Sequence, residues 1–242
     1  QSTETGVGAQ TYQFSAATTS QNALVSPTVL VATVTVEEHE QIKALAGLGR
    51  GEASTFAVVD NTMVSDTTGN GVAAITADAA LQVESHTADI TPPTLAQFNL
   101  SFTDNIIVLQ YSEDVVLSTV NVTKITLQSP ASSYTITGTT GIAYGAAGNT
   151  VVEIGLTYTD IVALKAFRSL ATGVSDTFLS AELNVVEDPA ANFAVAISAA
   201  SPVQVTGYAA DTSAPVIESF TLNMTDGVMV ISFNEVVTAS TV

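Results

Sequence analysis

Two segments of the chain alternate apolar and polar residues in a way that is typical of β-strands with one buried face. They are "LAQFNLSF" (95–102) and "IIVLQYS" (106–112). The residues between them include Asp104 and Asn105, whose side chains favour a tight turn by bonding to the neighbouring backbone. The pattern therefore predicts a β-hairpin. "PVIESFTLNMTDGVMVISFNEVV" (215–237) predicts a second hairpin near the end of the sequence.

Five more apolar segments predict short strands, namely "TKITLQS" (123–129), "SYTITG" (133–138), "TVVEIGLT" (150–157), "TFLSAEL" (177–183) and "PVQVTGY" (202–208). One segment departs from the strand pattern: it spaces Leu164, Phe167 and Leu170 three apart and predicts a short helix over 160–171, with Thr159 as its N-cap. Seven strands in about 120 residues indicate an immunoglobulin-like sandwich. We expect the helix to bridge two strands across one end of that sandwich.

The sequence repeats itself. "DITPPTLAQFNL" (89–100) returns as "DTSAPVIESFTL" (211–222), a separation of 211 − 89 = 122 residues, and the alignment at this separation needs no gap. "IKALAGLGRG" (42–51) lies over "LKAFRSLATG" (164–173), which predicts a second helix over 38–48. A period of this length indicates one folded domain per copy. The predicted fold is all-β, with tandem immunoglobulin-like β-sandwich repeats of 122 residues that each carry one short bridging helix.

The repeat predicts three divisions of the chain. Residues 89–210 form a complete repeat, residues 1–88 supply the later strands and helix of another, and residues 211–242 supply the opening hairpin of the next. Residues 1–8 do not read as the strand expected of them. A lone hairpin is marginal in water, and a sandwich without its hairpin exposes unpaired edges. We therefore expect 211–242 to complete a unit like 1–88, either in another copy of the chain or within a longer continuous array.

The segment "DITPPTLAQFNLSFTDNIIVLQYSEDVVLSTVNVTKITLQS" (89–129) resembles the start of bacterial-type Ig-like repeats in surface-layer proteins and large adhesins. In that family a D-x-x-x-P start leads to a strand ending in F-S-E-x-V and then S-T. Tyr111 and Asn234 depart from this pattern. The whole 122-residue phrase is similar to tandem repeats in giant extracellular proteins of protists, stramenopile algae among them. The resemblance implies an extracellular or cell-surface location and a role as a spacer or polymer unit.

The charge of the chain excludes some partners. A formal net charge of −18, with 23 acidic against 5 basic residues, disfavours nucleic acid and anionic lipid surfaces. No apolar run is long enough to predict a membrane span. The absence of cysteine excludes disulfides and thiolate sites.

No set of residues predicts catalysis. The two histidines, His39 and His86, align with Ile161 and Tyr208 in the other copy, so the repeat does not need an imidazole. Serine and threonine are plentiful but have no base to activate them. We predict that the chain is not an enzyme.

Several acidic residues recur at the 122-residue separation, namely Asp66, Asp89, Asp104, Glu113, Asp188, Asp211, Asp226 and Glu235. Two interpretations are open. Carboxylates at turns and linkers are ligands that calcium prefers. Alternatively, Asp at a hairpin turn bonds its own backbone, and Asp before proline marks an extended linker. We favour the second interpretation and predict no other cofactor.

Three N-x-S/T sequons, at Asn99, Asn121 and Asn223, are candidate glycosylation sites, and the many Ser and Thr residues suit O-linked sugars. Taken together, the sequence predicts a glycosylated structural subunit or segment of an extracellular filament, stalk or surface coat, with copies of itself as partners. One alternative is a cell-surface adhesin or carbohydrate-binding module stiffened by calcium, although the predicted loop at 140–149 has few aromatic residues for stacking on sugars. Another is a non-catalytic part of a large secreted enzyme.

Overall fold

The computed structural model describes residues 10–14, 21–26, 28–45, 47–146 and 148–237. These residues are mostly β-strands in several sheets, with two α-helices, which confirms the all-β prediction. The predictions for residues 1–8 and 238–242 lie outside the described residues. The described chain forms two compact units, one up to Thr91 together with Pro189–Asn192, and the other comprising the remaining residues.

The first unit contains four strands and one helix among its described residues. In chain order they are β1 (Gln21–Ser26), β2 (Val29–Thr33), α1 (Val36–Ala44), β3 (Phe56–Ala57) and β4 (Leu81–Gln82). Strand β2 pairs antiparallel with β1, and β3 pairs antiparallel with β4. All five residues of β2 are exposed.

Helix α1 begins earlier and ends earlier than the prediction of 38–48. Thr35 is its N-cap: the Thr35 hydroxyl accepts a hydrogen bond from the Glu38 amide at 3.2 Å, and the Glu38 carboxylate accepts one from the Thr35 amide at 3.4 Å. This reciprocal capping box satisfies two amides that the first turn leaves without intrahelical partners. The helix ends at Ala44, and Leu48 is buried although it lies beyond the helix.

The second unit contains eleven strands and one helix among its described residues. They are β5 (Leu95–Ser101), β6 (Ile106–Tyr111), β7 (Ile125–Gln128), β8 (Ser133–Thr135), β9 (Gly141–Gly145), β10 (Gly148–Gly155), α2 (Tyr158–Ala166), β11 (Phe178–Ala181), β12 (Val203–Gln204), β13 (Gly207–Ala209), β14 (Ile217–Asn223) and β15 (Val228–Phe233).

Two sheets of this unit share one hydrophobic core. The five-stranded sheet has the order β13-β5-β6-β10-β9 and the four-stranded sheet the order β12-β11-β7-β8. Phe98 and Leu109 of the first sheet and Ile125 and Leu179 of the second belong to a single buried cluster. Strands β5 and β6 form the predicted hairpin, and β13 adds to the free edge of β5 in parallel. The hairpin β14–β15 stands as a separate two-stranded sheet.

Helix α2 also differs from its prediction. Its N-cap is Thr157 rather than Thr159, because the Thr157 hydroxyl accepts a hydrogen bond from the Asp160 amide at 3.1 Å. The helix ends at Ala166 rather than near 171. Leu170 is fully buried but follows the helix, so the three-residue spacing of apolar side chains continues into irregular backbone.

The other strand predictions need two corrections. The segment 140–149, predicted to be a loop, contains strand β9, which pairs with β10. The predicted strand 202–208 is divided into β12 and β13, which belong to different sheets. The chain changes sheets at Val205 and Thr206, whose amides donate to the carbonyls of Thr177 and Phe98 at 3.0 and 2.8 Å.

Candidate functional site

The hairpin β14–β15 presents an apolar face to solvent. Alternate residues of the two strands place large apolar side chains on one side, and those of Phe220, Leu222, Met229 and Ile231 are all exposed. Their register is fixed within the hairpin, where Phe220 lies opposite Ile231 and Leu222 opposite Met229. Contiguous exposed apolar side chains of this kind mark interaction surfaces. We call this set of four side chains the hairpin face.

Residues 122 positions earlier occupy the same places in β5–β6 and are buried. Phe98 is 0% exposed, whereas Phe220 is 66% exposed. Phe98 lies opposite Leu109 in the same register that joins Phe220 and Ile231. The buried hairpin is covered by the core of its unit, while the described residues provide no such cover for the hairpin face.

The first unit also exposes apolar side chains whose counterparts in the second unit are buried. Leu30 on β2 is exposed, although its counterpart Val152 on β10 is fully buried. Met63 is 59% exposed against 2% for its counterpart Val185, and Val64 is exposed as well. We call Leu30, Met63 and Val64 the acceptor face. Each of its side chains corresponds to a residue of the core that also contains Phe98 and Leu109.

In each unit a lysine of the helix forms an ion pair with an aspartate. Lys43 of α1 lies 2.8 Å from the Asp89 carboxylate in the first unit. Lys165 of α2 lies 2.6 Å from Asp211 and 3.4 Å from Glu235 in the second. Asp211 precedes β14 and Glu235 follows β15, so Lys165 fixes both ends of this hairpin to its own unit.

The electrostatics of these contacts favour the charged forms. Burial, the largest single influence, raises the pKa of Asp89, but the hydrogen bonds from Lys43 and the Thr91 amide and the nearby positive charge of Lys43 together outweigh it, and the pKa lies below its usual value. The hydrogen bond from Lys165 lowers the pKa of Asp211 to about 2. Burial, the largest single influence, lowers the pKa of Lys165, but the hydrogen bonds and charges of Asp211 and Glu235 together outweigh it and leave that pKa raised.

Three of the predicted calcium ligands are turn residues. Asp66 accepts hydrogen bonds from the amides of Thr68 and Asn70, and the side chain of Asn70 is the largest of the causes that hold its pKa well below the usual range. Asp104 accepts from the Ser101 hydroxyl at 2.8 Å. Asp226 accepts from the Asn223 side chain at 2.6 Å. These local bonds are the turn chemistry that the sequence favoured.

The remaining predicted ligands, Glu113 and Asp188, are both buried in the second unit. Asp188 contrasts with its counterpart Asp66, which is exposed. Asn192, the counterpart of Asn70, donates to the Asp89 carbonyl at 3.2 Å within the first unit, whereas Asn70 bonds back to Asp66.

The two histidines make different contacts. The His86 ring nitrogen Nε2 lies 2.8 Å from the Gly49 carbonyl, and the Tyr208 hydroxyl donates to the Ala171 carbonyl at the same distance. The residues of the second pair lie 122 positions after those of the first, so an imidazole in one copy and a phenol in the other make the equivalent contact. His39 lies 3.7 Å from Glu40 with its side chain more than half exposed.

The three sequons differ in exposure. Asn99 is half-buried on β5, and a Cβ atom at Gly207 would lie 2.7 Å from its Oδ1, so the glycine makes room for this amide. Asn121 is exposed and caps a short 3-10 helix by accepting from the Thr123 amide at 3.2 Å. Asn223 is exposed and accepts from the Thr225 amide at 2.9 Å.

Sequence reasoning found the recurrent acids but missed the lysines that face them. The signal was present, because Lys43 and Lys165 are two of only five basic residues and lie 122 positions apart. It also gave no role to Asp160, a fully buried carboxylate that accepts hydrogen bonds from the Tyr134 hydroxyl at 2.8 Å and the Thr137 amide at 2.9 Å.

No protein-family model matches the chain, and a search of curated proteins gives no match. Among solved structures, the chain is similar to the S-layer protein rSbsC(31-844), with a TM-score of 0.33 and 9% identity. The match covers 55% of this chain and 15% of that protein. A likeness this weak does not establish a shared fold. Among the described residues, no helix has the length and apolar character needed to cross a membrane.

Proposed function

We propose that the chain is a non-catalytic structural segment of an extracellular filament, stalk or coat, built head to tail from Ig-like sandwich units of 122 residues. The observation that carries this proposal is the hairpin face. Four large apolar side chains are exposed on a hairpin whose counterpart, 122 residues earlier, forms the centre of a core.

The energetics favour covering this face. Burying one large apolar side chain stabilises a folded or assembled state by about 1.5–3 kcal/mol. Four such side chains contribute about 6–12 kcal/mol, which is of the same order as the roughly 4–15 kcal/mol that association costs in lost translational and rotational freedom. A two-stranded hairpin alone gains little from its own contacts.

The architecture of the second unit supports an Ig-like sandwich as the repeating element. Two sheets contribute to one core, and each α-helix lies 122 positions from the other, from Val36 to Tyr158. Strand pairs recur as well: Phe56 pairs with Gln82 as Phe178 pairs with Gln204.

Assembly of the 242-residue chain tests the proposal. Negative-stain electron microscopy and sedimentation velocity over a concentration series should show linear, unclosed multimers, because donor and acceptor faces differ and each chain carries both. Phe220→Asp should reduce the chain to monomers, since a charge would have to be buried at the centre of the contact.

The matched control is Leu183→Asp, which changes a similarly exposed leucine of the second unit outside the hairpin, 57% against 66% for Phe220. This variant should assemble like the unmodified chain. A chain that stays monomeric at high concentration would contradict the proposal, and so would equal loss of assembly in both variants.

A further inference from the structure

We infer that the partner of the hairpin face is the first unit of a second copy of this chain, with β15 pairing antiparallel to β2 and β14 pairing parallel to residues 85–87. This inference rests on the proposed function and makes it specific. The register of both contacts follows from pairings that the second unit already contains.

The antiparallel contact follows from the pair β6–β10. Val108 lies opposite Glu153 there, and Leu109 opposite Val152. Moving the β6 residues forward by 122 and the β10 residues back by 122 places Val230 opposite Val31 and Ile231 opposite Leu30. Among the described residues, β15 pairs only with β14 and β2 only with β1, so each has an edge available for this contact.

The parallel contact follows from the pair β5–β13. Tyr208 of β13 lies opposite Leu100 of β5. The corresponding residues are His86 and Leu222. Residues 85–87 do not form a strand in the first unit, although their counterparts 207–209 are a strand where β5 is present. The missing partner explains this difference.

The side chains brought together by this register are apolar. Ile231 would lie beside Leu30, as Leu109 lies beside the fully buried Val152. Met63 and Val64 would be covered as Val185 and Val186 are in the core of the second unit. A one-residue slip would turn the hairpin face away from the acceptor face, so the register is strongly specified.

Charge and tethering favour a second copy as the occupant. Val29–Thr33 and Val228–Phe233 contain no charged residue, so the strongly acidic surface does not oppose this contact. Lys165 holds Asp211 and Glu235, the ends of the hairpin segment, to α2 of its own unit. The hairpin is thus presented from one unit as a fixed donor.

Engineered disulfides test the register, and the absence of native cysteine makes the readout clean. The double variant Val31→Cys/Val230→Cys places two thiols directly opposite each other, where Cβ atoms lie about 4.5–5.5 Å apart. Mild oxidation should produce a ladder of covalent multimers. Peptide mass spectrometry on a mixture of isotopically labelled and unlabelled chains should find position 31 linked to position 230 between chains.

The matched control is Val31→Cys/Ile231→Cys, which moves one thiol to the opposite face of β15. Its cross-linked yield should be lower by at least about tenfold, since a disulfide requires converging Cβ directions. Equal yields in the two variants, or a link confined to single chains, would overturn the inference. If the unmodified chain assembles but the Val31→Cys/Val230→Cys variant forms no link between positions 31 and 230, this register alone is overturned, whereas a monomeric unmodified chain would overturn the proposed function as well.

Discussion

The hairpins β5–β6 and β14–β15 have the same internal geometry and opposite surroundings. Both carry an irregularity near the start of the first strand, between Leu95 and Gln97 in one and between Ile217 and Ser219 in the other. The first hairpin is the centre of a five-stranded sheet, and the second has no neighbouring strand among the described residues. Local sequence therefore sets the shape of a hairpin, while its stability depends on what covers it.

The largest expected effect separates the two hairpins at one equivalent position. Phe98→Ala should destabilise the second unit by about 3–5 kcal/mol, because it leaves a cavity in a close-packed core. Phe220→Ala should change the stability of the dilute monomer by less than about 0.5 kcal/mol, because the ring is mostly exposed. Urea unfolding at a concentration below assembly measures both.

The pair of variants is its own control, since the same atoms are removed from the same position of each hairpin. Comparable losses of stability would mean that Phe220 is already covered within the monomer. The comparison between a covered and an uncovered hairpin would then fail.

The strands were largely predictable from sequence, and the reason is local. In β5 and β6 the alternation of apolar residues reports the buried face directly, and Asn105 marks the turn. Strand β9 was missed because the glycines and alanines around Ile142 and Tyr144 are typical of a loop, and its strand conformation depends on pairing with β10. Helix α2 was displaced by two residues because Thr157 and Thr159 are equally suitable caps in sequence.

The candidate site was less predictable because its contacts are long-range. Lys165 meets Asp211 across 46 positions and Glu235 across 70, and neither spacing has a local signature. The exposure of Phe220 was foreseeable only from the repeat, since its own sequence predicts a buried face.

A smaller effect concerns the ion pairs that attach the hairpin β14–β15 to its own unit. Lys165→Met should weaken the attachment of β14–β15 by about 1–2 kcal/mol, because it leaves two largely buried carboxylates without their cation. Hydrogen exchange of the β14–β15 amides, corrected for intrinsic rates, measures this attachment. Lys124→Met is the control, because its 2.5 Å pair with Glu182 is more exposed and should contribute less than about 0.5 kcal/mol.

The same contact predicts a pH dependence. The pKa of Asp211 is lowered from 3.8 to about 2 in the folded state, so the stabilisation is fully present above pH 3.8 and is lost as the pH falls through about 2. The difference in protection between the unmodified chain and Lys165→Met should shrink across that window. A difference that stays constant down to pH 2 would show that Lys165 acts through packing and not through the charge of Asp211.

The smallest effect concerns the turns, where the hairpins use different residues for the same backbone conformation. Asn105 has φ of +58° and Gly227 has φ of +66°, both in the left-handed region that glycine adopts without strain. In addition, the Oδ1 atom of Asn105 is buried and has no hydrogen-bond partner within the described residues. Asn105→Gly should therefore stabilise the second unit by about 0.5 kcal/mol, by relieving strain and removing an unsatisfied polar atom. Gly227→Asn should cost about the same or less in the exposed hairpin, since Asn tolerates this conformation.

Thermal unfolding of the two single variants measures both changes. If Asn105→Gly lowered the melting temperature, the Asn105 side chain would be contributing to its turn, and the two hairpins would differ in their local chemistry as well as in their cover.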